Sequence, residues 1–218
     1  MNPAPVGGIY ILSAPSGAGK TSLTRALVQG EPKIAISVSH TTRGPRPGEV
    51  DGTHYHFVTP AVFQHMVASG AFVEHAKVFG NYYGTARATL DDLRHQGRHV
   101  LLDIDWQGAR RIKSLLPEAV SIYILPPSLA SLRARLLGRG QDPVPVIERR
   151  MQEALAEISH AGEFDHVIVN DDFEDALADL RALLASGRDR RPELGKQTLD
   201  RWLQAVTGPH HGVTPGVE

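Results

Sequence analysis

The sequence predicts an α/β fold: a central parallel sheet covered by helices on both faces, three layers in all, with an inserted lobe. Two observations carry this. Apolar runs of strand length alternate with segments whose apolar residues recur at helical spacing, the pattern of strands feeding crossover helices. Residues 39–89 break that rhythm with a stretch rich in glycine, proline and polar residues. The 218 residues suit one domain with insertions. Hydrophobic residues make up 41% and charged residues 22%, ordinary for a globular chain.

The elements follow in order. Ile9-Tyr10-Ile11-Leu12 reads as a buried strand over 9–13, and Leu23, Leu27 and Val28 mark a helix over 20–29. Residues 34–38 alternate as a strand does. Thr59-Pro60 has the form of an N-cap with proline at the first helical position. Phe63, Met66 and Val67 give that helix its apolar stripe and Gly70 ends it. Phe72-Val73-Glu74 is a short strand. Leu90 and Leu93 mark a helix closed by Gly97. Residues 100–105 form an apolar run ending in carboxylates, and 120–125 form a second central strand. Ser128 is placed to cap a helix carrying Leu129, Leu132 and Leu136. After a break at 138–143, Ile147, Met151, Leu155 and Ile158 form a stripe. Residues 166–170 are the last strand, and Phe173, Leu177, Leu180 and Leu184 line one face of the last core helix. Beyond Gly187 the periodicity fades. Leu199, Trp202 and Leu203 are spaced for a short docking helix, and the end reads as disordered.

The formal net charge of −1 gives no global field toward nucleic acid or anionic lipid. The absence of cysteine excludes disulfides and thiolate zinc sites. No apolar run approaches the ~20 residues of a membrane helix. The start, Met1-Asn2-Pro3-Ala4-Pro5, lacks the basic and apolar regions of a signal peptide. The expectation is a cytoplasmic protein with neither a membrane nor a nucleic-acid partner; homo-oligomers are left open.

Ala14-Pro15-Ser16-Gly17-Ala18-Gly19-Lys20-Thr21 lies between the first strand and the first helix. Strand, glycine-rich loop, Gly-Lys-Thr and helix is the P-loop arrangement, which binds a nucleoside triphosphate by its phosphates. Small residues let successive backbone N–H groups point inward around an anion, and the helix N-terminus adds its dipole. Lys20 is placed for the β- and γ-phosphates and the Thr21 hydroxyl for Mg²⁺. The pattern usually begins with Gly and here has Ala14, so the loop entrance is expected not to need a left-handed residue.

A second constellation runs from Ser39 to Glu49. The guanidinium forks of Arg43 and Arg46 suit a phosphate, although loop arginines alone are more often a solvated surface. Tyr55, Tyr82 and Tyr83 add hydroxyls. Asp103 closes a buried strand beside the loop, where an acidic residue would hold Mg²⁺ through water; Asp105 competes for that role. A third set is Arg133, Arg135, Arg139, Arg149 and Arg150, around a break that contains Pro143 and Pro145. The two prolines stiffen that segment.

Together these motifs resemble the guanylate kinase family. The resemblance rests on the phosphate loop, on Ser39 to Glu49, and on Phe79-Gly80-Asn81-Tyr82-Tyr83-Gly84-Thr85. Leu102-Asp103-Ile104-Asp105-Trp106-Gln107-Gly108 and Asn170-Asp171-Asp172 complete it, and it spans about residues 9–185. It implies Mg²⁺-dependent transfer of the γ-phosphoryl group of ATP to GMP. It also implies a core over 1–38, 90–125 and 151–186, a GMP-binding lobe over 39–89, a lid over 126–150 and a tail over 187–218. Ser39, Arg43, Arg46, Tyr55 and Tyr83 match positions that hold the GMP phosphate. Glu74 and Thr85 match those that read guanine, with Asp103 nearby and Glu49 in support. Arg139 and Arg150 match the lid arginines that face phosphate, with Arg135 a third; Arg133 and Arg149 read as solvated. Residues 14–21, Arg135 and Asn170 fall on the ATP side. Lys20, Arg43, Arg139 and Arg150 would offset the repulsion between the two polyanions.

The chemistry of the residues fits. A carboxylate at Glu74 accepts from guanine N1 and the 2-amino group, and the Thr85 hydroxyl is suited to donate to O6. Adenine would leave Glu74 unpaired. The alternatives are a P-loop kinase for another nucleoside monophosphate and a non-catalytic guanylate-kinase-like protein-binding module, a class that tends to lose the phosphate loop. A GTPase switch would need an Asn-Lys-x-Asp motif, which is absent. The eleven histidines lack partners at ligand spacing and read as surface or structural.

Overall fold

The computed structural model describes residues 7–78, 80–138, 143–185 and 192–207. Its centre is a parallel sheet of five strands, β1 (Ile9–Ser13), β2 (Ile34–Ile36), β7 (His99–Asp103), β8 (Val120–Leu125) and β9 (His166–Val169), in the order β2-β7-β1-β8-β9. β1 lies in the middle with β7 and β8 on either side. Its residues are apolar on both faces because both faces are covered. Tyr10 and Leu12 pack against Leu23 and Leu27 of α1 (Lys20–Gly30) and Leu177, Leu180 and Leu184 of α7 (Phe173–Ala185). Ile9 and Ile11 face the other way, onto Leu90 of α3 (Arg87–His95) and Ala109 and Ile112 of α4 (Trp106–Leu115).

A second sheet of four strands makes up the inserted segment. It comprises β3 (His40–Thr41), β4 (His56–Phe57), β5 (Phe72–Val78) and β6 (Asn81–Ala86), in the order β4-β3-β6-β5. The helix α2 (Pro60–Ala68) opens as expected, with the Thr59 hydroxyl accepting from Val62 N–H at 3.3 Å and Pro60 in the first turn. Phe63 stacks on Phe72 and Tyr82 at 4.6 and 5.4 Å. Gly84 is required beneath them: a Cβ there would lie 2.9 Å from the Phe72 ring. The remaining helices are α5 (Leu129–Gly138), α6 (Val144–Ile158) and α8 (Pro192–Thr207). Leu132 and Leu136 of α5 pack on Ile147 and Ala154 of α6. None of the helices among the described residues is long and apolar enough to cross a membrane.

Several boundaries differ from the sequence expectation. β2 stops at Ile36 rather than 38, and β7 at Asp103 rather than 105, because Asp105 turns to cap α4, its carboxylate accepting from Gly108 N–H at 2.7 Å. α4 has no counterpart in the sequence expectation. β5 runs on to Val78 because it pairs along its length with β6, which the sequence reading did not assign as a strand. On α6, Leu155 points outward at 45% exposed and Ala154 takes the buried position. α8 is longer than the short helix expected. Leu199 and Trp202 bury against Tyr123, Leu125 and Val167, while Leu203 stays 39% exposed.

Candidate active site

The glycine-rich loop leaves β1 and enters α1 through two left-handed residues, Gly17 and Gly19, each with φ +96°. Side chains are barred at both. A Cβ on Gly17 would press on Leu132, and one on Gly19 would collide with the Asn170 amide. The loop is braced from behind. The buried Asn170 amide donates to Ala18 O at 2.7 Å, and Ala18 N–H donates to Pro15 O at 3.1 Å. The Arg135 guanidinium donates to Asn170 O at 2.9 Å and to Ala18 O at 3.4 Å. Asn170 and Arg135 thus hold the loop's backbone rather than facing into its mouth. Ala14 lines the mouth of the cavity above.

Lys20 lies at the N-terminus of α1, its ammonium paired with the Asp103 carboxylate at the end of β7. Burial pulls this ammonium down to about 8, against the upward pull of Asp105 and Glu157. Asp103 therefore faces the loop, whereas Asp105 is committed to capping α4.

In the inserted lobe the Arg43 fork grips Glu49 through both nitrogens, at 2.9 and 2.8 Å, and this pairing raises its pKa. Glu49 also accepts Arg46 N–H at 2.7 Å. The Arg43 guanidinium lies 5.4 Å from the Tyr55 ring centroid, and Tyr55 meets Tyr83 edge-on at 5.9 Å. Glu49 is thus the residue that aims Arg43. Glu74 on β5 is 6% exposed and accepts the hydroxyl proton of Thr85, on β6, at 2.8 Å. Burial raises the Glu74 pKa. Thr85 is fully buried and gives its proton to Glu74. In this structure it orients the carboxylate rather than presenting a free donor.

Two cavities meet here. The larger, about 470 Å³, is lined by Lys20, Thr21, Ser39, Arg43, Arg46 and Glu49 among others. The smaller, about 230 Å³, reaches Ala14, Glu74, Asp105 and Glu157. Lys20, Ser39, Tyr55, Tyr83 and Asp103 border both, so one continuous cleft joins the loop to the lobe. Arg150 lies half-buried on α6 and borders neither cavity. Arg139 lies outside the described residues. Arg133 pairs with Glu148 across α5 and α6 and Arg149 with Glu153, all largely solvated.

The sequence reading missed Glu157, which borders the cleft and accepts Ser16 N–H at 3.3 Å. It belongs to no short motif, and its one signal is a carboxylate beside the apolar Ile158. The residues present suit Mg²⁺. An exposed Thr21 hydroxyl and the Asp103 carboxylate border the same cavity, and no cluster of three or more metal-ligating side chains occurs among the described residues. Mg²⁺ needs few protein ligands when phosphates supply the others.

A parallel sheet, a glycine-rich anion loop with its lysine, and a second lobe that brings Arg43 and Arg46 to a shared cleft define the class of P-loop kinases. The guanylate kinase family model matches residues 7–187. A guanylate kinase of Alkalilimnicola ehrlichii is 55% identical over 184 residues, covering 84% of this chain and 91% of that protein. One of Thiobacillus denitrificans is 55% identical over 186 residues, covering 85% and 89%. The crystal structure of guanylate kinase from Anaplasma phagocytophilum superposes with a TM-score of 0.70 at 35% identity, covering 92% of this chain and 95% of that one. The chain belongs to the guanylate kinase family.

Proposed function

We propose that this chain, in the cytoplasm, transfers the γ-phosphoryl group of ATP to GMP, giving ADP and GDP. The observation that carries the reading is the single cleft whose shared wall holds Lys20, with the anion loop at one end and the Arg43–Tyr55–Tyr83 cluster and buried Glu74 at the other. The working division is a core over 1–38, 90–125 and 151–186, a GMP lobe over 39–89 and a lid over 126–150.

The acceptor oxygen of GMP is already anionic, so the reaction needs alignment and charge compensation rather than a strong base. Lys20 exchanges Asp103 for the β- and γ-phosphates. Arg43, aimed by Glu49, and Arg46 with the hydroxyls of Ser39, Tyr55 and Tyr83 fix the GMP phosphate in line. Glu74, held by Thr85, accepts from guanine N1 and the 2-amino group. Arg139 and Arg150 bring further charge when the lid closes and water is excluded. Bound Mg²⁺ adds positive charge at the phosphates, and the Thr21 hydroxyl and Asp103 carboxylate are the groups that would hold it.

The test is a coupled assay for ADP release with ATP, Mg²⁺ and each nucleoside monophosphate in turn. Turnover with GMP far above that with AMP, CMP or UMP is expected. Turnover favouring another monophosphate, or none at all, would overturn the reading.

A further inference from the structure

Glu157 lies near the end of α6, outside every motif that marks the site in the sequence. Its carboxylate borders the smaller cavity with Lys20, Asp103 and Asp105, and its Oε2 accepts the Ser16 backbone N–H at 3.3 Å. That N–H belongs to the anion-binding loop. A carboxylate and a phosphate oxygen are alternatives for one such donor. Close by on β8, Tyr123 is completely buried, and its hydroxyl has no hydrogen-bond partner among the described residues. Register places Tyr123 opposite Ser13, the residue before the loop begins. Its ring packs with Ile158, the neighbour of Glu157, and meets Phe164 at 4.9 Å. The loop, the orphan hydroxyl and the carboxylate therefore converge.

We propose that Glu157 is a positioning residue with two seats: it accepts from Ser16 while the loop is free of phosphate, and from the Tyr123 hydroxyl once nucleotide phosphate takes the Ser16 N–H. This rests on the phosphotransfer reading above. The physical reason is economy of buried polar groups. An unpaired buried hydroxyl is costly, and a half-buried carboxylate that loses its donor gains from a new one. One rotation of the Glu157 side chain removes both defects. The electrostatics agree: burial raises both pKa values, and the Glu157 carboxylate raises that of Tyr123 further. α6 also carries Arg150 two turns earlier. Glu157 thus shares its helix with a lid arginine.

The experiment is a double-mutant cycle in the full chain with Tyr123→Phe, Glu157→Ala and the pair. Calorimetry reads the Kd of a non-hydrolysable ATP analogue with Mg²⁺; GMP binding and the ligand-free melting point are controls. Tyr123→Phe is expected to weaken the analogue at least about ten-fold, the factor of one hydrogen bond to a charged acceptor. It should leave GMP binding unchanged and should not lower the melting point. In the Glu157→Ala background the same substitution should have no effect on the analogue. If Glu157→Ala does not fold, Glu157→Gln serves instead, and the neutral acceptor should cut the Tyr123→Phe penalty to about five-fold. An unchanged analogue Kd in Tyr123→Phe, or an equal loss with and without Glu157, overturns the two-seat arrangement. Wild-type phosphotransfer measured alongside separates the two readings. A wild type that turns over without coupling sinks only the two seats; one that binds no analogue sinks both.

Discussion

Glu74→Gln tests the guanine end of the cleft. Glu74 is 6% exposed, and one of its oxygens already accepts from Thr85 at 2.8 Å. In the variant the amide oxygen keeps the Thr85 bond, because the hydroxyl needs an acceptor. The amide NH₂ then turns toward the guanine, and two donors face each other where a carboxylate met two donors. Losing a charge-assisted contact and leaving donors unpaired costs about 2–3 kcal/mol, a drop of about 30- to 150-fold in kcat/KM for GMP. Steady-state kinetics with GMP varied at saturating ATP measures this, and the KM for ATP should change less than about two-fold. Stability moves the other way. Burial raises the Glu74 pKa above 4.5, so the folded wild type carries the cost of a buried carboxylate at neutral pH and loses it when protonated in acid. Melting of the variant at pH 7 should be no lower than wild type, and any advantage should vanish below pH 4.5. A GMP KM untouched by the substitution, in a folded variant, would refute the assignment of Glu74 to guanine.

Lys20→Met should lose turnover by orders of magnitude while its circular dichroism stays that of the wild type; near-normal rates would contradict its place at the phosphates. Burial brings the Lys20 ammonium down to about 8, and its charged form exists below that value. The kcat/KM for ATP should therefore fall as pH rises through about 8, and a flat profile to pH ~10 would contradict it. Trp202→Phe removes the indole donor that reaches Pro126 O at 2.6 Å in a buried setting. The loss of about 2 kcal/mol lowers the melting point by about 4–8 °C in a chain of this length, read by calorimetry.

The core was legible because strands buried on both faces write themselves as unbroken apolar runs, as β1 and β8 do. The loop was legible because left-handed backbone at Gly17 and Gly19 and the lysine after them leave little chemical alternative. α4 was not, because its cap, Asp105, reads equally well as a catalytic carboxylate, and its buried Gly108 and Ala109 are a weak apolar stripe. β6 was hidden by its tyrosines and glycine: its identity as a strand comes from pairing with β5 and β3, not from periodicity. In the cleft, residue types announced Arg43, Glu74 and Thr85, but not their mutual bonds. That Glu49 forks Arg43 and that Thr85 spends its proton on Glu74 are facts of tertiary placement. Glu157 is the clearest omission, a single acidic residue brought to the loop by a helix that starts thirteen residues earlier, at Val144.

The chain has two tryptophans, and one is wired as an optical gauge. Trp106, at the start of α4, lies face to face with His160, just past the end of α6, with ring centroids 3.5 Å apart and planes 12° from parallel. Any slip of α6 against α4 is thereby written into the intrinsic fluorescence. Stopped-flow mixing with nucleotide can follow that signal on the enzyme's own timescale, with no dye attached.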